Sequence, residues 1–278
     1  MIVFLNGAFV PEEQAVVSIF DRSFRYGDGL FEAVLVANGK LFRWMEHAAR
    51  LERGASMLKV RLPHSREQMF DAANELIARN AVIDAVLRIQ ISRGVGPRGY
   101  APTGDEKPIM VMTMHPAPRQ NTARWKLTIC SVRVAANDPL AGLKSCSRLL
   151  QVLAASEARA RQVDEAILVN TNGEITEGST SNVFWIEDGV VCTPPLSAGV
   201  LPGVTRGVIV EICNTLGIPH REKSISPNQL AQVDGVFLSL TSRGVVEAES
   251  IDGKALGQSL VTGQLQKKVK EWIARECC

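Results

Sequence analysis

In Pro139-Leu-Ala-Gly-Leu-Lys-Ser-Cys-Ser-Arg-Leu-Leu150, a lysine stands just before an apolar run with helical spacing. A lysine at the start of a helix can form a Schiff base with an aldehyde. The stretch Glu177-Gly-Ser-Thr-Ser-Asn-Val-Phe184 begins 33 residues after Lys144, and its carboxylate can hold a pyridine nitrogen protonated. Together these two groups indicate a cofactor enzyme, provided that the chain also supplies a phosphate site and a substrate site.

The composition indicates a globular protein with no electrostatic attraction for nucleic acid or membranes. The chain has 278 residues, 46% hydrophobic and 22% charged, which is enough for one large or two ordinary domains. Its 31 Lys and Arg residues nearly balance its 29 Asp and Glu residues, so nucleic acid and anionic membranes are not expected as partners. No apolar run approaches the length of a membrane span, and the N-terminus lacks a signal-peptide pattern.

The cysteines follow neither a metal-binding nor a disulfide pattern. All six are scattered, with no CxxC pair and no ligand-like spacing to the four histidines. We therefore predict reduced thiols in a cytoplasmic protein without a metal site. The histidines are also too dispersed to indicate a catalytic triad.

Periodicity and turn residues predict two units. Residues 1–117 form a smaller α+β unit, residues 118–125 a linker, and residues 126–278 a larger α/β unit that contains Lys144. The predicted helices are 46–58, 65–80, 147–162, 203–216 and 260–275. The predicted strands include 30–36, 86–93, 109–114, 126–132, 165–170, 183–186 and 236–240. The buried helix faces are predicted to carry Phe70, Ala73, Leu76 and Ile77 in 65–80, and Leu149, Leu150, Leu153 and Ala154 in 147–162.

Three separate features suit a phosphate group. The stretch Leu201-Pro-Gly-Val-Thr-Arg206 precedes a helix that starts near Val204, where backbone N–H groups and the Thr205 hydroxyl would meet an anion at the positive helix end. Arg50 on the helix 46–58 can clamp a phosphate with two hydrogen bonds, and Thr241 adds a hydroxyl at a strand end. Each feature also has a simpler interpretation, as a capped helix, an exposed arginine and a capped turn.

A loop rich in glycine suits a substrate carboxylate. Ser92-Arg-Gly-Val-Gly-Pro-Arg-Gly-Tyr100 follows a strand and carries Arg93, Arg98 and Tyr100. A solvated basic turn is the alternative interpretation. Cys146 receives no role, because residues two apart do not face each other on a helix.

In this order, the motifs resemble those of the fold-type IV (class IV) enzymes that depend on pyridoxal 5'-phosphate (PLP). The family includes branched-chain aminotransferases, D-amino-acid aminotransferases and 4-amino-4-deoxychorismate lyases. The resemblance spans nearly the whole chain, and its stretches are Asp21-Arg22, Tyr26-Gly-Asp-Gly-Leu-Phe-Glu32, His47-Ala-Ala-Arg-Leu51, Ser92-Arg-Gly94, Gly142-Leu-Lys144, Asp164-Glu-Ala166, Glu177-Gly-Ser-Thr-Ser-Asn-Val-Phe184, Leu201-Pro-Gly-Val-Thr-Arg206 and the strand end 237–241.

The resemblance implies a two-domain α+β fold, PLP held in the cleft between the domains, and a homodimer that completes the site. It implies that Lys144 forms the Schiff base and carries the proton between the substrate Cα and the cofactor, and that Glu177 pairs with the pyridine nitrogen. The phosphate is expected at Arg50, Thr241 and the helix start at Gly203, Val204 and Thr205. Leu201 is expected against the ring face, and the substrate is expected at Phe31, Arg98 and Tyr100.

The reaction is divided between two subfamilies by the sequence. Glu32 is typical of aminotransferases, whereas the lyases commonly have threonine there. Branched-chain enzymes usually carry tyrosine where this chain has Leu149, and both the stretch after Lys144 and Arg98-Gly-Tyr100 resemble the lyases. We predict amino-group transfer between an amino acid and a 2-oxo acid. The alternatives are pyruvate elimination from aminodeoxychorismate to give p-aminobenzoate, and a non-catalytic PLP-binding protein; L- and D-substrates are left open.

Overall fold

The computed structural model describes residues 1–118 and 123–278, which fold into two compact units. The first contains Met1–Pro118, Leu143–Arg148 and Ile273–Cys278, and the second contains residues 123–142 and Leu149–Trp272. Residues 119–122 of the predicted linker 118–125 lie outside the described residues. The domain limits 1–117 and 126–278 stay predictions, and the two observed units differ from them in placing Lys144 with the first unit.

The first unit is built on a six-stranded antiparallel sheet in the order β2-β1-β6-β5-β3-β4. Its strands are β1 (Ile2–Leu5), β2 (Ala8–Pro11), β3 (Gly29–Ala37), β4 (Lys40–Leu41), β5 (Ala85–Ser92) and β6 (Ile109–Pro116). Its helices are α1 (Arg22–Tyr26), α2 (Trp44–Leu58) and α3 (Arg66–Arg79). Alternation along β3 separates two faces. Leu30, Val34 and Val36 point into the core with residues of α2 and α3, while Phe31 and Ala33 lie on a half-buried face.

Helix α3 confirms the predicted helix 65–80 but not all of its predicted face. Ser65 caps the N-terminus in a capping box with Gln68, which explains why the helix begins there. Met69 is buried in the core, whereas Phe70 is 39% exposed, so its predicted burial is wrong. A single turn of helix brings either residue within reach of the same apolar stripe, so the pattern alone did not choose between them.

The second unit is built on a nine-stranded mixed sheet. Its strands are β7 (Trp125–Val134), β8 (Glu165–Asn170), β9 (Ile175–Gly178), β10 (Asn182–Glu187), β11 (Val190–Thr193), β12 (His220–Glu222), β13 (Gly235–Leu240), β14 (Gly244–Ile251) and β15 (Lys254–Ala255). Their main path is β12-β11-β10-β13-β14-β7-β8-β9, and the pair Glu177–Asn182 joins β9 back to β10, which closes six strands into a ring. Strands β9 and β14 were not predicted. Glu247 and Glu249 lower the apparent strand propensity of β14.

The remaining helices are α4 (Leu149–Ala160), α5 (Val204–Leu216), α6 (Pro227–Leu230) and α7 (Leu260–Glu276). Gly217 ends α5 in the left-handed conformation, as predicted. On α4 the buried residues are Ala154 and Ala158, whereas Leu149 is 69% exposed and Leu150 and Leu153 are also exposed, so their predicted burial is wrong. No helix of the described residues is long and apolar enough to cross a membrane.

Candidate active site

Lys144 lies in an extended segment that is bonded to the start of β3. The N–H of Phe31 donates to the carbonyl of Lys144 at 2.9 Å, and the N–H of Cys146 donates to the carbonyl of Gly29 at 2.8 Å. The Arg148 side chain donates to the carbonyls of Leu143 and Ser145. Because these bonds hold residues 143–146 against a strand, α4 begins at Leu149 instead of residue 147. The backbone of Lys144 is thereby fixed at one end of β3.

Three cationic side chains surround the ring of Phe31. The ring centroid is 4.0 Å from Cζ of Arg88, 4.8 Å from Nζ of Lys144 and 5.8 Å from Cζ of Arg148. The face of an aromatic ring attracts cations, so Phe31 can hold side chains that would otherwise repel one another. An anionic ligand would complete the charge balance of this cluster.

Arg88 is a residue that the sequence interpretation missed. On β5 it stands opposite Ala33, while Gln90 stands opposite Phe31, so all four share the half-buried face of the sheet. Arg88 donates to Oε1 of Gln90 at 3.1 and 3.3 Å, and no carboxylate of the described residues pairs with it. An arginine in the middle of a strand that pairs on both sides was the signal in the sequence.

Glu32 lies on the opposite face of β3 and binds two side chains of α2. Arg50 donates to both carboxylate oxygens at 2.7 Å, and Nδ1 of His47 is 2.7 Å from Oε2. Burial alone would raise the pKa of Glu32, but the hydrogen bonds from Arg50 and His47 lower this pKa to about 2. Burial lowers the pKa of His47 despite its bond to Glu32. Arg50 is therefore a buried, oriented cation and not an exposed helix arginine.

The predicted substrate loop is fixed by its backbone and exposes its side chains. Arg22 donates to the carbonyls of Gly99 at 3.0 Å and Tyr100 at 2.6 Å. Arg98 is exposed, and the Tyr100 side chain is 87% exposed. Within the described residues Arg98 has no contact with Phe31, so the structure does not bring these two predicted substrate residues together in one chain.

In the second unit, Glu177 and Asn182 hold the main chain of Leu201 from both sides. Oε2 of Glu177 accepts a hydrogen bond from the Leu201 N–H at 2.9 Å, and Nδ2 of Asn182 donates to the Leu201 carbonyl at 2.9 Å. Gly203 is packed tightly here, since a Cβ at this position would lie 1.9 Å from Oδ1 of Asn182. Three predicted cofactor residues, Glu177, Leu201 and Gly203, are thus brought together.

The N-terminus of α5 offers unpaired hydrogen-bond donors. Gly203 is the N-cap and supplies no side-chain cap, so the first N–H groups of the helix, at Val204 and Thr205, lack the usual side-chain acceptor. Thr205 is buried, and its hydroxyl has no hydrogen-bond partner among the described residues. Thr241 is half-buried in the turn after β13. The helix start fits a phosphate group, because amides and the helix dipole both favour an anion there.

The sequence profile described as "Amino-transferase class IV" matches residues 29–251. This chain belongs to the class IV aminotransferase family. D-alanine aminotransferase of Staphylococcus haemolyticus is 34% identical over 280 residues, which cover 98% of this chain and 97% of the relative. The structure of the branched-chain aminotransferase from Thermoproteus uzoniensis, solved with norvaline, has a TM-score of 0.93 and 30% identity, covering 99% of this chain and 96% of that chain. The two-domain α+β fold of the family is therefore confirmed.

Class IV aminotransferases depend on PLP. A branched-chain amino acid aminotransferase of the organism abbreviated T.th., solved with pyridoxamine 5'-phosphate, is 26% identical, has a TM-score of 0.91 and covers 97% of this chain and 93% of that chain. The residues described above fit such a cofactor. They include a lysine on a fixed backbone, a carboxylate fixed to a neighbouring loop, and a helix start whose amides lack a cap.

Cys146 keeps no catalytic role in this class IV aminotransferase. The helix that excluded it from a role begins only at Leu149, so that argument was wrong. Its side chain lies near Ser23 and Arg88, and burial raises the pKa of its thiol. A thiol whose pKa is raised stays protonated at neutral pH and is a poor nucleophile.

Proposed function

We propose that this protein transfers an amino group between an amino acid and a 2-oxo acid, with PLP bound covalently to Lys144. The observation that carries the proposal is the fixed position of Lys144 beside Phe31 and Arg88. PLP, when bound, accepts the amino group and withdraws electrons from the substrate Cα. Nζ of Lys144 takes up and returns the Cα proton, as a base within reach of the substrate must do.

The other predicted residues bind and orient the cofactor. Glu177 is proposed to pair with the pyridine nitrogen and Leu201 to pack against the ring. The phosphate is proposed to bind the N–H groups of Val204 and Thr205 after the turn at Gly203, with Arg50 and Thr241 as further donors. Support comes from the uncapped start of α5 and from the buried Glu32–Arg50 pair, which orients the guanidinium before any ligand arrives.

Amino transfer is favoured over pyruvate elimination by Glu32. This residue follows the aminotransferase pattern, and in the structure it binds Arg50 with both oxygens and also contacts His47. The threonine that is common in the lyases has a single hydroxyl and cannot make this pair of bonds. The lyase reaction stays the second candidate because Leu149 replaces the tyrosine of branched-chain enzymes.

A homodimer is proposed from the exposed apolar side chains. In the first unit Phe24 is 77% exposed, with Val16, Ile19 and Phe20 exposed nearby, and in the second unit Leu149, Val152 and Leu153 are exposed along α4. Apolar patches of this kind commonly mark protein–protein interfaces. A sedimentation mass equal to that of a single chain would contradict the dimer. The cytoplasmic location stays a prediction.

The function is tested by a half-reaction. Holoenzyme mixed with a panel of L- and D-amino acids is expected to convert its lysine-bound PLP absorbance into that of pyridoxamine phosphate, and a 2-oxo acid is expected to restore it. Borohydride reduction should label Lys144. If no amino acid yields the pyridoxamine form, while aminodeoxychorismate releases pyruvate, the lyase reaction replaces the proposed one. A label on another lysine would contradict the assignment of Lys144.

Arg88 is proposed to bind a substrate carboxylate, because it lies beside Lys144 on the Phe31 ring without an acidic partner in the described chain. Arg88→Gln is expected to raise KM for 2-oxoglutarate by about ten- to a hundredfold, since a charged hydrogen bond is lost. Arg79→Gln is the matched control. Arg79 also stacks on a phenylalanine, Phe9, but already pairs with Glu75. Equal KM values in wild type and Arg88→Gln would contradict the proposal.

A further inference from the structure

Glu165 is a buried carboxylate for which no Lys, Arg or His of the described chain forms an ion pair. It is the first residue of β8 and is 2% exposed. Carboxylates are seldom buried without a cation, because the loss of hydration must be compensated. Here the compensation comes from neutral donors of one short turn, residues 178–181, between β9 and β10.

The hydrogen bonds to Glu165 use every side-chain hydroxyl of this turn. Oε1 accepts from the N–H of Ser179 at 3.1 Å and from the Ser179 hydroxyl. Oε2 accepts from Thr180 through its N–H at 3.2 Å and its hydroxyl at 2.7 Å, and from the hydroxyl of Ser181 at 3.2 Å. The N–H of Ala166 completes the set at 3.0 Å. The carboxylate therefore fixes three consecutive residues at once.

The turn is also packed without spare room. A Cβ on Gly178 would lie 2.2 Å from Oγ of Ser181 and 3.1 Å from Oε2 of Glu165. The N–H of Ser179 lies 3.0 Å from the carbonyl of Ala166, which ties the turn to β8 a second time. A displacement of the turn would break several of these bonds together.

The two residues that flank the turn belong to the candidate active site. Glu177 precedes it and Asn182 follows it, and the two are paired across β9 and β10. They hold the N–H and the carbonyl of Leu201, respectively. The position of the Glu177 carboxylate thus depends on the turn that Glu165 holds.

We propose that Glu165 is a positioning residue for Glu177, and that its carboxylate keeps Glu177 where it can hold the pyridine nitrogen protonated. The inference rests on the proposed function, in which Glu177 pairs with that nitrogen. Both oxygens of Glu165 act only as acceptors. Glutamine has the same shape, but its NH₂ group would face donors of the turn, which would leave them unsatisfied and push the turn away.

The test compares Glu165→Gln with Glu174→Gln, both as holoenzymes reconstituted with ¹⁵N-labelled PLP. Glu174 is a matched control, because it lies at the opposite end of the β8–β9 hairpin and accepts a hydrogen bond from Asn170 at 2.9 Å. The ¹⁵N chemical shift of the pyridine nitrogen reports its protonation. Wild type and Glu174→Gln should show the protonated nitrogen, and Glu165→Gln a shift towards the unprotonated signal of Glu177→Gln.

The kinetic result should agree with the spectrum. Glu165→Gln is expected to lower kcat by about ten- to a hundredfold, as small displacements near a reacting group do, with KM for the amino donor within about twofold. If Glu165→Gln does not fold, Thr180→Val removes one hydroxyl donor and should shift the ¹⁵N signal less, in the same direction. A folded variant with the wild-type ¹⁵N signal would overturn the inference. An unprotonated nitrogen in wild type would instead overturn the proposed role of Glu177.

Discussion

Replacing Lys144 by alanine is expected to lower kcat for amino transfer by at least about 10³-fold. The variant loses both the amine that binds the cofactor covalently and the base that moves the Cα proton. Its absorbance spectrum should lack the lysine-bound form of PLP, and borohydride should no longer attach the cofactor to the chain. Single-turnover kinetics with excess amino donor measure the rate without interference from product release.

Two further variants separate the amine from its charge and from lysine content in general. Lys144→Arg keeps a cation beside Phe31 but cannot form a Schiff base, so it should be as inactive as Lys144→Ala. Lys270→Ala removes an exposed lysine of α7 and should retain wild-type kinetics. An active Lys144→Arg variant would show that charge alone suffices at this position.

Replacing Glu32 by glutamine is expected to lower the free energy of unfolding by about 3–5 kcal/mol. The substitution leaves the guanidinium of Arg50 buried without a counter-charge, and it turns an amide NH₂ towards the donors of Arg50 and His47. Urea unfolding followed by circular dichroism, at equal saturating PLP, measures the change. The same variant should also bind PLP more weakly, because Arg50 is no longer oriented.

The control for Glu32 is an exposed pair in the same unit. Glu75 and Arg79 are both about half exposed and lie 2.7 Å apart on α3. Glu75→Gln should change the free energy of unfolding by at most about 0.5 kcal/mol, because water screens exposed ion pairs. Equal changes for Glu32→Gln and Glu75→Gln would contradict the importance of burial.

The effect of Glu32 also has a defined pH dependence. Its pKa falls from 4.5 to about 2 on folding, so the unfolded chain binds more protons between these values. The stabilisation by Glu32 is therefore complete above pH 4.5 and is lost as the pH falls towards 2. The difference in unfolding free energy between wild type and Glu32→Gln should stay constant above pH 4.5 and narrow below it. A difference that narrows at higher pH would contradict the lowered pKa.

Local patterns predicted the elements well where one face of the element is buried against the same unit. The alternation of β3 and β5 and the periodicity of α3 and α5 agree with the observed strands and helices. The pattern failed on α4, where Leu149 and Leu153 satisfy helical periodicity and are nevertheless exposed. Periodicity identifies an apolar face but carries no information about which surface will cover it.

The sequence by itself determined the family, since its motifs occur in order along nearly the whole chain, and it determined most helices and strands, since these follow from residue spacing. Only the tertiary structure decided that Lys144 is bonded to Phe31, that Arg88 joins it on the same ring, and that Glu165 holds the turn after Glu177. These contacts join residues far apart in the chain. Their register depends on the pairing of strands, the close packing of side chains and the compensation of buried charge, none of which a local pattern encodes.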